Sequence, residues 1–152
     1  MPRVDFYILE GDDLRARLVF ACRLAEKAFL LEQRVSLLTD AESDAATLDD
    51  LLWTFRDRSF VPHAMQNAGG ETDTPVVIAW RGLQAVHLDL AINLGATVPE
   101  GFGGFTRIAE IVDGDAARRR AGRERYRYYL EQGIKPETHP IGVGPVGDQE
   151  TS

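Results

Sequence analysis

The chain has 152 residues, 44% hydrophobic and 27% charged, and 24 Asp and Glu outnumber 17 Lys and Arg to give a formal net charge of −7. This is the make-up of a globular domain long enough to bury roughly two thirds of its unfolded surface without staples. It excludes a disulfide framework and a cysteine zinc site, because Cys22 stands alone. No apolar run approaches the ~20 residues that cross a bilayer, and the first residues lack a signal-peptide layout, so a cytoplasmic protein is expected.

Val4 to Leu9 is a short run of β-formers bounded by Gly11 and two aspartates, and predicts a buried strand. Asp12 or Asp13 can cap the helix that follows, in which Leu14, Leu18, Cys22, Ala25 and Phe29 recur at helical spacing. Arg34 to Thr39 predicts a second strand. Asp40 to Ser43 offers caps for a helix through Leu48, Leu51 and Leu52, ending near Trp53. Strand–helix–strand–helix order implies right-handed parallel units with helices on the sheet. From Arg56 to Pro75 the pattern is irregular, and Asn67, Gly69 and Gly70 mark a loop. Val76 to Trp80, His87 to Asn93 and Phe105 to Val112 predict three further strands. Ala116 to Gln132 predicts a helix stopped by Gly133. The last 20 residues, rich in Gly and Pro, predict no regular element. The expected fold is therefore one α/β domain over residues 1–133, with a mostly parallel sheet of about five strands. Residues 134–152 are expected to form a flexible tail.

Charge is distributed unevenly along this chain. Between Arg118 and Arg127 lie six arginines and one acid, a local balance of +5 in an otherwise acidic molecule. Such a concentration costs self-repulsion and makes sense if an anion docks there. A duplex tracking across the surface would also meet the carboxylates, so a compact anion such as an acidic peptide end fits better. At 100° per residue Ala117, Ala121 and Tyr128 share one face, with Glu124 at its margin, and predict the core side. Arg119, Arg123, Tyr126 and Leu130 lie opposite, with Arg127 at the edge. Arg123 and Arg127, four residues apart, can grip one anion, and the tyrosine and leucine beside them suit an anion with an apolar group attached. The bland alternative is a solvated face of cations complementing the helix dipole. A module binding nucleic-acid phosphates directly is a further alternative.

No catalytic constellation stands out. Gly101, Gly103 and Gly104 precede a strand-like run and lack the Gly-Lys-Ser/Thr of a phosphate loop, so they read as a turn. His63, His87 and His139 have no metal spacing, and Cys22 falls on an apolar stripe. No cofactor or metal is expected. Trp53, Phe55 and Phe60, flanking Arg56-Asp57-Arg58 and running into Val61-Pro62-His63, are either a second protein-binding surface or a plug for the sheet edge.

Several collinear stretches resemble the chi subunit family of bacterial DNA polymerase III holoenzyme. They are Val4-Asp5-Phe6-Tyr7-Ile8-Leu9, Leu52-Trp53, Ser59-Phe60-Val61-Pro62-His63, Pro75 to Trp80, Asp89 to Leu94, Phe105 to Asp113 and Arg123-Glu124-Arg125-Tyr126. The resemblance implies a three-layer α/β/α fold, Rossmann-like without a nucleotide site, and a non-catalytic accessory subunit. It implies binding to the acidic, Phe-ending C-terminal tail of single-stranded DNA-binding protein, with little direct DNA binding and no membrane. Arg123, Tyr126 and Arg127 would match the family's tail-binding positions, with Arg119 and Leu130 beside them. Trp53, Phe60, Val61 and Pro62 would match the surface for the psi subunit or another clamp-loader component. The family's strand continues into apolar residues where this chain has Gly114-Asp115, which is expected to alter the pocket wall.

Overall fold

Alternation along β1 (Arg3–Leu9) decides the layout. Val4 and Phe6 point to one side of the strand, Tyr7 to the other, and all three are buried. A strand apolar on both faces belongs in a parallel sheet covered by helices on each side. The computed structural model, which describes residues 1–55, 60–66 and 73–142, has that arrangement. In chain order come β1, α1 (Leu14–Leu30), β2 (Val35–Thr39), α2 (Glu42–Thr54), β3 (His63–Met65) and β4 (Val76–Trp80). They are followed by β5 (Leu90–Asn93), β6 (Arg107–Val112), α3 (Ala116–Glu131) and β7 (Glu137–Ile141). The strands lie in the order β3-β4-β2-β5-β6-β1-β7, and every neighbouring pair is parallel.

Helices α1 and α2 cover one face. Phe20, Cys22, Ala25, Leu48 and Leu52 pack there on Tyr7, Leu37, Ile78, Ile92 and Ile111. Helix α3 covers the other face, where Tyr129 joins Val4, Phe6, Ala91, Ile108 and Val112. Each large apolar side chain fully removed from water contributes about 1.5–3 kcal/mol. Asp13 caps α1, accepting from the Arg15 amide at 3.0 Å, and Asp115 caps α3, accepting from the Arg118 amide at 2.9 Å. Gly133, at φ +85°, ends α3 as expected. The cap of α2 differs from expectation: Ala41 occupies it without a side-chain bond. Asp40 instead accepts from the Ala96 amide and from Arg81.

Among the described residues the sheet has seven strands rather than about five. β3 lies in the stretch expected to be irregular, and β7 in the residues expected to form no regular element. Both are short, and β7 is largely exposed, so neither carries an apolar period. They pair because the outer edges of β4 and β1 would otherwise leave backbone groups unbonded. Asn67, Gly69, Gly70, Arg56-Asp57-Arg58 and residues 143–152 lie outside the described residues.

Candidate peptide-docking site

Helix α3 carries three adjacent stripes. Ala117, Ala121, Glu124 and Tyr128 form one, Arg119, Arg123, Tyr126 and Leu130 another, and Arg118, Gly122, Arg125 and Tyr129 run between them. The middle stripe faces the core: Gly122, Arg125 and Tyr129 are buried. The expectation that Ala117, Ala121 and Tyr128 form the core side is therefore corrected, and Tyr128 is exposed. The reason is a buried ion pair that hydropathy cannot flag. Arg125 Nε donates to Glu110 Oε1 at 2.8 Å, and the Tyr129 hydroxyl donates to Glu110 Oε2 at 2.7 Å. Asn93 Nδ2 donates to the same carboxylate at 3.0 Å, and an Arg125 terminal nitrogen donates to the Ala96 carbonyl at 3.0 Å. Burial, then the Glu110 charge and hydrogen bond, push the Tyr129 phenol well up, so it remains a donor. Gly122 lets the helix approach the sheet, since a Cβ there would stand 2.9 Å from Val112 Cγ2.

The stripe of Arg119, Arg123 and Tyr126 borders a recess of about 240 Å³ between α3 and the β1–β7 edge. Phe6, Ile8, Val112 and Gly122 supply apolar lining, and Thr138 reaches it from β7. Tyr126 packs on Phe6, with ring centroids 5.3 Å apart. Arg119 Nε donates to the Asp113 carbonyl at 3.2 Å. Among the described residues, no carboxylate is within ion-pair distance of Arg119, Arg120, Arg123 or Arg127. Arg118, by contrast, is held by Asp113 through two bonds of 2.8 Å. Arg127 and Leu130 are exposed on the same flank but do not line the recess.

Gly114-Asp115 has a structural account. The Gly114 amide donates to the Gly11 carbonyl at 2.7 Å, and a Cβ would collide with the Glu10 carbonyl. Neither residue lines the recess, whose wall at this end is Val112.

A second surface lies at the far edge of the sheet. Trp53 and Phe60 are 52% and 63% exposed, with ring centroids 5.7 Å apart. His63 lies beneath them, its ring 4.4 Å from that of Trp53, and its nitrogens contact the Val61 and Asp49 carbonyls. Val61 is 1% exposed, so it anchors the patch from inside and offers no contact area itself. Pro62 is half-buried.

The crevice at the carboxyl ends of the strands, where parallel α/β proteins hold phosphates, has protein carboxylates at the helix starts. Asp13 caps α1, Asp115 caps α3, and Glu42 and Asp44 stand in the first turn of α2. These charges repel a phosphate from the helix N-termini. Arg17, near this crevice, is buried and donates to the Leu94 and Ile111 carbonyls; burial, then the charge of Arg118, lowers its pKa to about 10. Cys22 is fully buried and its thiol is pushed up to about 12, as core packing requires.

His139 is drawn from the expected tail into the β1 edge. It stacks on Tyr7, and its Nε2 lies 2.8 Å from Asp5 Oδ1. Asp5, Glu137 and His139 come close together, but Arg107 Nε and Arg3 Nε, at 2.9 and 3.1 Å, already neutralise the Asp5 carboxylate. Burial alone would push Asp5 up. Hydrogen bonds from His139 and Arg107, with the charges of Arg107 and Arg3, hold it below the usual carboxylate range.

Fold and site together define a class: a parallel α/β domain of nucleotide-binding architecture whose open cationic recess lies on the α3–β7 flank, away from the strand ends. The sequence matches the family described as DNA polymerase III chi subunit, HolC, over residues 1–137, and the chain belongs to that family. It is 40% identical over 141 residues to DNA polymerase III subunit chi of Pseudomonas aeruginosa, covering 93% of this chain and 98% of that protein. It is 31% identical over 138 residues to the chi subunit of Haemophilus influenzae, covering 90% and 96%. For the Escherichia coli chi subunit the identity is 29% over 143 residues, covering 91% and 97%. The crystal structure of T4 UvsW shares the fold, with a TM-score of 0.63 at 9% identity over 93% of this chain and 42% of that one. Family membership makes the chain a DNA polymerase III accessory subunit. Among the described residues no helix is long and apolar enough to cross a membrane.

Proposed function

We propose that the protein is a replication adaptor whose α3 recess binds the acidic C-terminal tail of single-stranded DNA-binding protein, and whose Trp53–Phe60 surface joins the clamp loader. The observation that carries this reading is the pairing of guanidinium groups that have no carboxylate partner among the described residues with an apolar hollow. Arg119 and Arg123 flank a recess lined by Phe6, Ile8, Val112 and Tyr126. Aspartates of the tail would accept from the arginines, with Arg127 extending the cationic strip, and the terminal phenylalanine would enter the hollow. Each charge-assisted bond contributes about 1.5–3 kcal/mol, and after ordering costs a few such bonds correspond to roughly micromolar binding.

No catalytic role is assigned to the chain. The exposed strip Arg119, Arg120, Arg123 and Arg127 supports a second reading, direct contact with nucleic-acid phosphates. Calorimetric titration decides between them. The adaptor expects binding by a peptide copying the tail, marked weakening when its last phenylalanine is removed, and little affinity for oligonucleotides alone. Equal binding of peptides with and without that phenylalanine would remove the recess from the mechanism.

A further inference from the structure

The main chain of β7, beside the recess, presents a limited set of bonding groups. Along a strand, successive residues turn their N–H and C=O groups to opposite sides. The Arg3 amide donates to the Thr106 carbonyl at 3.1 Å, just ahead of β6. By alternation Asp5, Tyr7 and Leu9 also bond towards β6, while Val4, Phe6 and Ile8 bond towards β7. In a parallel pair such a residue bonds to the two neighbours of the one it faces. Phe6 faces Thr138 and Ile8 faces Pro140, so Glu137, His139 and Ile141 turn inward while Thr138 and Pro140 turn outward. Pro140 agrees independently, since an edge strand tolerates proline where no ladder N–H is needed.

Among the described residues β7 is the last strand of the sheet. Its outward groups are the Thr138 N–H and C=O and the Pro140 C=O, and Pro136, two residues before Thr138, has no N–H either. The outward donor of Thr138 is therefore bracketed by prolines. That bracket denies a long ladder to another strand edge, a second copy of this chain included. It leaves one main-chain donor and acceptor at a residue that also lines the recess. Arg119 and Arg123, on the opposite wall, have no carboxylate partner among the described residues, so the chain that reaches Thr138 is an anionic one.

We propose that Thr138 grips the main chain of an extended acidic peptide, adding one residue of it to the β7 edge. The Thr138 N–H donates to a peptide carbonyl, and its C=O accepts a peptide N–H. The proposal rests on reading the recess as an acidic-peptide site. These bonds are blind to side chains. At that position the peptide is recognised for being extended and not proline, while the arginines and the hollow read its charges and its terminal ring.

Amide hydrogen exchange on the full chain, with and without an acidic peptide ending in phenylalanine, tests the contact. The Thr138 amide is expected to exchange fast in the free protein and slowly in the complex, whereas the Glu137 and His139 amides stay protected in both. Slow exchange of Thr138 in the free protein overturns the proposal, and protection that rises with protein concentration assigns the edge to a second copy instead. In a second arm the peptide is titrated into two variants. Thr138→Pro deletes the outward N–H without removing a bond to β1, and Thr138→Val keeps that N–H while replacing the hydroxyl. Thr138→Pro is expected to bind about 3- to 10-fold more weakly than Thr138→Val, the loss of one neutral hydrogen bond. Equal affinities, or peptide binding that leaves Thr138 exchange unchanged, overturn the main-chain grip and leave the peptide site intact. A peptide that binds neither the parent nor either variant removes the peptide-site reading and the grip together.

Discussion

Arg123 and Arg125 stand two residues apart on α3 and do opposite jobs. Arg125 is 4% exposed and donates to Glu110 within the helix–sheet interface, whereas Arg123 stands exposed at the recess with no described carboxylate near it. Removing one partner of a buried pair leaves an uncompensated charge and costs about 3–5 kcal/mol. Arg125→Ala is therefore expected to lower the urea midpoint sharply. Arg123→Ala should leave stability within about 0.5 kcal/mol yet weaken acidic-peptide binding by about tenfold or more, the loss of one charge-assisted bond. Urea melts and calorimetry on both variants check the division. Loss of stability in Arg123→Ala, or its retention in Arg125→Ala, would reverse the assignment.

Gly114 is required by the close approach of the β6–α3 turn to the end of β1. Gly114→Ala places a methyl group against the Glu10 carbonyl, and overpacking of this kind costs about 1–3 kcal/mol. For a chain of this size each kcal/mol lowers Tm by about 2–4 °C. Because Gly114 does not line the recess, peptide affinity measured on the folded variant is expected to stay at the parent value. An unchanged Tm would show that the turn relaxes.

Asp113 links acid stability to the start of α3. Burial would raise its carboxyl, but the Arg118 hydrogen bond, the Asp115 amide and the Arg118 and Arg17 charges hold it below the usual range. With the folded pKa depressed, its contribution is complete above the ordinary carboxylate value of about 4 and is lost as pH falls below it. Asp113→Asn should cost about 1.5–3 kcal/mol at pH 7, and the gap to the parent should narrow towards pH 3. Chemical denaturation at both pH values tests this, and a gap that widens on acidification contradicts the sign.

Phe60 and the recess lie at opposite edges of the sheet, since β3 is the first strand and β7 the last. Under the proposed function, Phe60→Ala removes an exposed ring from the Trp53 patch and is expected to abolish clamp-loader capture in a pull-down. Peptide affinity should be unaltered. Capture that survives the substitution would detach this surface from assembly.

The layered fold was legible because β1, β2 and β4 are short runs of β-formers bounded by turn residues and buried on both faces, while α1 repeats one helical period. β3 and β7 were not, because three residues, or five that are mostly exposed and include Pro140, carry no period; edges elsewhere in the sheet recruit them. The flank bearing Arg119, Arg123 and Tyr126 was legible from charge and spacing. The core stripe was misjudged because Arg118 and Arg125 belong to it, and their carboxylate partners are brought in by β6 and the turn after it. The signal present was the glycine and tyrosine seven residues apart at 122 and 129, in register with both arginines. Phe6, Ile8 and Thr138 could not be found from α3 at all, since only the sheet brings them there.

The pairing of Phe6 with Thr138 in adjacent strands has a consequence for synthesis. The hollow is closed by residues among the earliest and the latest translated in this stretch of sequence, so a growing chain carries Phe6 and Ile8 long before it owns a pocket. Under the proposed function, docking competence then arises with the final strand, and a chain ending before Thr138 is expected not to hold the acidic peptide.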